Sequence, residues 1–257
     1  MVDRLLEEGV DVNTAPASWH GRTALQAASE GGHLAAVNRL LEEGADVNAA
    51  PAKEHGRTAL QAASEGGYLA VVDQLMEKGA YVDAAPVSRH GRTALQAASE
   101  GGHLAVVDLL LGWGADVKAA VVEERGRTAL QAASERGHLA VVNRLLEKGA
   151  DVNAAPASSF GRTALQAASE GGHLAVVDRL LEQGADFNAA PASSFGRTAL
   201  QAASEGGHLA VVDRLLEKGA DINAAAAKEH GRSAFQAASE RGHLAVVERL
   251  YRASATG

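Results

Sequence analysis

The sequence predicts an all-α repeat solenoid, built from short helix-turn-helix units joined by lengthened β-hairpin fingers. Three observations carry this prediction. The dipeptide Gly-Arg recurs at positions 21, 56, 91, 126, 161, 196 and 231, always 35 residues apart, and a fixed period of this size marks stacked supersecondary units. Each Gly-Arg opens the same octapeptide, Thr-Ala-Leu-Gln-Ala-Ala-Ser-Glu, with one variant at Ser233-Ala234-Phe235-Gln236. The Leu- and Val-rich stretch that follows has helical spacing, not the alternation of a strand.

The fifth unit shows each element in turn. Thr163 followed by Gln166 matches a capping box, in which each side chain satisfies the other's backbone N–H. This predicts a first helix over Thr163 to Ser169. Gly171-Gly172 breaks it. A second helix is predicted over Leu174 to Glu182, with Leu174, Val177, Leu180 and Leu181 as its apolar stripe. Gly184 ends that helix as a C-cap signal. The stretch from Asp186 to Gly196 has no helical pattern, and Pro191 and Gly196 mark it as a turn or hairpin. Ala164, Ala167 and Ala168 are small enough for layers of helices to approach closely. One such unit has a single apolar side and buries it only against its neighbours.

The unit boundaries fall at 11–45, 46–80, 81–115, 116–150, 151–185, 186–220 and 221–257. Residues 1–10 look like the second helix of an incomplete leading repeat, as if cut from a longer protein. The last unit ends in Leu250-Tyr251-Arg252-Ala253-Ser254 and looks like a terminal cap. Aromatics are only 4% of the chain against 46% hydrophobic residues overall, so the core must come from Ala, Val and Leu. The net charge of −8, with basic residues dispersed, argues against nucleic-acid binding. The absence of cysteine excludes disulfides and thiolate metal sites. No apolar run approaches the ~18 residues of a membrane span.

The motifs Asp151-Val152-Asn153-Ala154, Gly161-Arg162-Thr163-Ala164-Leu165-Gln166-Ala167-Ala168 and Gly172-His173-Leu174-Ala175-Val176-Val177 resemble the ankyrin repeat. The likeness recurs seven times, from residue 11 to about 250. Three departures stand out. The period of 35 exceeds the usual ~33, lengthening the finger. Ala replaces the family's Pro, and Gln replaces its His, which puts the hydrogen bonds between repeats in question. The near-identical units also resemble the C-terminal regions of fungal NLR-like receptors. The resemblance implies a cytoplasmic protein-binding domain, the ligand-sensing or adaptor part of a larger intracellular protein, working through finger tips and an inner face. The alternatives are a structural spacer or self-assembly scaffold, or an engineered consensus array. Irregularities such as Tyr81, Lys118, Val121-Val122 and Gly112-Trp113 favour a natural sequence.

The sequence carries no catalytic, cofactor-binding or metal-binding signature. Six histidines occupy one column, His33, His103, His138, His173, His208 and His243, with Tyr68 in the remaining unit. Neighbouring units packed as helices stand about 8–10 Å apart, whereas two ligands of one zinc must each lie about 2 Å from it. A structural role at the turn follows. Ser169 and its equivalents have no paired base, and a motif repeated in every unit reads as structural. Arg162 and Glu170 form a column pair expected to make a surface ladder.

Comparison of the units with one another is the strongest clue to function. Most columns hardly change, but the finger tips do: Trp19-His20, Glu54-His55, Arg89-His90, Glu124-Arg125, Ser159-Phe160, Ser194-Phe195 and Glu229-His230. A second variable column carries Arg136 and Arg241 where other units have Gly. These sixteen residues are the expected contacts for a protein partner, with the chain itself a monomer or weakly self-associating. Drift at unconstrained loop tips is the competing explanation.

Overall fold

The structure, a computed structural model, describes residues 11–14, 21–52, 56–86, 91–119, 126–156, 161–190, 196–225 and 232–255. Fourteen helices lie within them: α1 (Ala24–Glu30), α2 (Leu34–Glu42), α3 (Ala59–Glu65), α4 (Leu69–Glu77), α5 (Ala94–Gly101), α6 (Leu104–Gly112), α7 (Ala129–Glu135), α8 (Leu139–Glu147), α9 (Ala164–Glu170), α10 (Leu174–Glu182), α11 (Ala199–Gly206), α12 (Leu209–Glu217), α13 (Ala234–Glu240) and α14 (Leu244–Ser254). Odd and even helices are the first and second helices of successive repeats.

Each first helix starts where its Thr caps it. Thr163 Oγ1 accepts from the Gln166 backbone N–H at 3.2 Å, and Gln166 Oε1 accepts from the Thr163 N–H at 3.0 Å. The same reciprocal box stands at Thr23, Thr58, Thr93, Thr198 and Ser233. Because Thr163 is the extended cap residue, α9 runs over Ala164–Glu170, one residue later than the pattern alone predicts. Gly172, with φ +71°, turns the chain into α10, and Gly184, with φ +82°, turns it out again. A side chain at either position would be strained.

The chain divides into two compact units, Met1–Ala129 and Leu130–Gly257. In the first, α3 packs between α1 and α5; in the second, α11 packs between α9 and α13. Leu165 is only 1% exposed between these layers. In α10 the buried residues are Val176, Val177 and Leu180, while Leu174 and Leu181 are half-buried. The predicted stripe therefore missed Val176. The helix packs on its own first helix and on α8 and α12 as well, so burial spreads beyond one narrow face. No strand occurs among the described residues. The finger bases are turns, as at residues 152–153 and 187–188, and the tips lie outside the described residues.

Candidate partner-binding site

The finger bases are held by three side-chain columns. Within each base the Asp carboxylate receives the N–H two residues on, as when Asn153 N donates to Asp151 Oδ1 at 2.9 Å, an Asx turn. Between bases, the Asn joins one repeat to the next. Asn48 Nδ2 donates to the Gly79 carbonyl at 2.9 Å, and its Oδ1 accepts from Tyr81 N at 2.9 Å. Asn153 repeats the pattern with Gly184 O and Asp186 N. At Asp83 the amide donor is gone; its carboxylate still accepts from Asp116 N at 3.1 Å.

Gln supplies the third brace. While Oε1 caps its own helix, Nε2 reaches the next finger. Gln61 donates to Ala84 O at 2.9 Å, Gln131 to Ala154 O at 3.0 Å, Gln166 to Ala189 O at 3.1 Å and Gln201 to Ala224 O at 3.1 Å. The Gln that stands in place of the family's His therefore does two jobs, a cap and a bond between repeats. Gln96 is the exception, because its buried Nε2 has no partner.

The histidine column also joins repeats. His103 Nε2 lies 3.0 Å from Glu65 O, His173 Nε2 3.0 Å from Glu135 O, His208 Nε2 2.9 Å from Glu170 O and His243 Nε2 3.0 Å from Glu205 O. Each ring packs closely against the Gly of the preceding repeat's turn. A Cβ built on Gly67 would stand 2.4 Å from His103 Nδ1, and one on Gly101 would stand 2.4 Å from its Nε2. Among the described residues no group of three or more His, Cys, Asp or Glu could hold a metal ion.

The predicted ladder is present in both units. In the first, Arg22 pairs with Glu30, Arg57 with Glu30 and Glu65, Arg92 with Glu65 and Glu100, and Arg127 with Glu100. In the second, Glu205 meets Arg197 at 2.7 Å, Arg241 at 3.0 Å and Arg232 at 3.7 Å. Half-exposed pairs of this kind contribute well under about 1 kcal/mol each. The Ser hydroxyls of this column at 29, 64, 99, 134, 169 and 204 are fully buried and so out of reach of any substrate, whereas Ser239 in the last repeat is exposed.

Of the sixteen predicted contact residues, Trp19, His20, Glu54, His55, Arg89, His90, Glu124, Arg125, Ser159, Phe160, Ser194, Phe195, Glu229 and His230 lie outside the described residues. Arg136 is exposed at the turn after α7. Arg241 has its side chain 59% exposed, with Nη2 on Glu205 of the preceding repeat. The structure adds two residues that the tip comparison passed over. Tyr81 is 68% exposed and Trp113 47% exposed. Tyr81 replaces the Asp of the other units, and Trp113 stands at a column that is Glu, Lys or Gln in every other unit but the last, where it is Ala253. Their signal was in the sequence, as departures at otherwise polar columns.

Comparison with known proteins agrees with this geometry. A family model described as ankyrin repeats, three copies, matches residues 1–86, 51–121, 82–156, 117–191, 155–226 and 189–256. The crystal structure of the human ASB11 ankyrin repeat domain is similar, with a TM-score of 0.74 and 28% identity. That match covers 89% of this chain and 98% of the human one. No curated protein sequence matches the chain.

Proposed function

The chain belongs to the ankyrin repeat family, and from that premise we infer that it is a protein-binding domain that recognises its partner through the finger tips and the adjoining inner face. The family fold is typically a non-enzymatic binding scaffold, and a repeat framework supplies an extended surface for contact. The observation that carries the reading is the distribution of variation within this one chain. Residues that make caps, braces and core recur from unit to unit, whereas Trp19, Arg89, Phe160, Phe195 and their neighbours do not. The finger bases beneath the tips are braced from repeat to repeat by the Asn and Gln side chains. Trp113 and Tyr81 are exposed aromatics, a residue type enriched among the residues that dominate protein interfaces.

The repeat wording supports a cytoplasmic setting and a larger NLR-like receptor or adaptor as the parent protein, with these repeats as its ligand-sensing part. No helix among the described residues is long and apolar enough to cross a membrane. The reading assigns no nucleic acid, metal or cofactor to the chain. The test is capture of interacting proteins with the native chain and with a variant carrying alanine at the seven tip pairs. Loss of a specific partner with the fold intact supports tip recognition. Retention of every partner refutes it.

A further inference from the structure

The second helices carry a charged pair near their ends, and α6 breaks the pattern. Arg39 pairs with Glu42 at 3.8 Å, Arg144 with Glu147 at 3.4 Å, Arg179 with Glu182 at 3.3 Å and Arg214 with Glu217 at 3.1 Å. At these two columns α6 has Leu109 and Gly112, so both members of the pair are replaced together. The next residue is Trp113, 47% exposed, four residues after the half-buried Leu109 and so on the same helical face. No packing demand explains the change at Gly112. It is exposed, a Cβ built on it meets nothing within 4 Å, and Gly is a poor helix former. Its effect is to remove bulk and a carboxylate next to the indole.

Tyr81 joins this surface from the preceding repeat. Helix α4 packs against α6. Asp83, two residues after Tyr81, accepts at 3.1 Å from the N–H of Asp116, three residues after Trp113. The two aromatics therefore stand on turns of neighbouring repeats that this bond holds together. Charge changes in the same place. Tyr81 and Gly112 each remove a carboxylate found at that column in neighbouring units, and Lys118 puts a cation where they have Asn or Asp. Lys78 and Lys118 are both exposed, and neither joins an ion pair among the described residues. The carboxylates of Asp83 and Asp116 are committed to backbone, the second accepting from Lys118 N at 2.8 Å. Glu77 remains as an exposed acid at the end of α4. On a chain of net charge −8, acidity is withdrawn here and two lysines accompany two exposed aromatics.

We propose that this edge of the first compact unit is a second docking surface, which takes an acidic protein segment carrying an apolar side chain. The apolar side chain packs on Trp113, Leu109 and Tyr81, where burying an aromatic anchor contributes most. Carboxylates of the segment meet Lys78 and Lys118, and this charge complementarity selects an acidic partner over a basic one. The surface is built from helix ends and finger bases and uses none of the tip pairs, so it stands whether or not the tips bind a partner.

The experiment is a fluorescence titration of the whole chain. It has two tryptophans, and Trp19→Phe leaves Trp113 as the sole reporter. The probes are short synthetic peptides with one central Phe flanked by Glu, by Gln or by Lys. The Glu-flanked peptide should shift Trp113 emission to the blue and saturate, the Gln-flanked peptide should bind more weakly, and the Lys-flanked peptide should bind least. Trp113→Gln combined with Lys118→Asn, each a residue that other repeats carry at that column, should lower affinity for a labelled Glu-flanked peptide at least tenfold, about 1.4 kcal/mol. Tyr81→Asp, which restores its column's own residue, should weaken binding in the same direction, and circular dichroism with thermal melting verifies that each variant folds. The variant with alanine at the seven tip pairs should bind the peptide as the native chain does. Equal binding of Lys- and Glu-flanked peptides, no emission change with any of them, or full affinity in the Trp113 and Tyr81 variants overturns the proposal. So does loss of peptide binding in the tip variant, or a blue shift that grows with chain concentration without peptide, since a second copy then covers the patch.

Discussion

Six serine hydroxyls, at Ser29, Ser64, Ser99, Ser134, Ser169 and Ser204, are fully buried with no hydrogen-bond partner. A buried hydroxyl left unpaired costs about 1–3 kcal/mol, and Ala is the better helix former. Ser64→Ala and Ser169→Ala should each therefore stabilise the fold, by about 1 kcal/mol in urea denaturation. Destabilisation would show that the hydroxyl is in fact bonded. Two departures from the chain's own pattern should respond in the same direction. Tyr68 stands where other repeats place the His that reaches back to a Glu carbonyl, and Asp83 stands where Asn supplies an amide donor. Tyr68→His and Asp83→Asn each restore one bond, with an expected gain of about 0.5–1.5 kcal/mol in the same measurement. The cap pairing of Thr163 with Gln166 was legible from spacing alone. The second bond of Gln166, to the next finger at Ala189, was not, because it joins residues 23 apart through the stacking of repeats. The ring of His173 was placed correctly at the turn, but its contact with Glu135 O, 38 residues away, needed the neighbouring repeat in place.

At the scale of elements, the first and second helices follow from local signals: a Thr cap, a Gly break, a Leu- and Val-rich run and a Gly stop. The apolar stripe of α10 was read too narrowly, since one helix seen alone does not reveal neighbours on both flanks. Val176 is buried for that reason. Leu165 tests the packing directly. Its truncation to Ala should cost about 2–5 kcal/mol. Coupling runs between neighbouring repeats, so the damage should centre on α9 and the helices that touch it. Hydrogen exchange on Leu165→Ala should show the greatest loss of protection there. Uniform loss across the whole chain, or none at α9, would contradict nearest-neighbour packing.

For the whole molecule, internal repetition separates framework from variation, and that separation is the basis of the functional reading. The fold was legible because every unit repeats the same caps, breaks and core residues. The tip residues stand out in the sequence only as a pattern of change from unit to unit, and the proposed role in recognition rests on that pattern. Tyr81 and Trp113 were visible in the same way. Zinc and calcium are expected to leave the melting temperature unchanged, because His103, His173, His208 and His243 are committed to carbonyls of neighbouring repeats. A stoichiometric rise with either ion would contradict that. The most direct test of the central claim is the double substitution Phe160→Ser with Phe195→Ser, read by calorimetric titration against a partner captured by the native chain. The melting temperature should stay at the native value while affinity falls at least tenfold, about 1.4 kcal/mol. Unchanged affinity, or a chain that no longer folds, would show that these tips serve the structure and not recognition.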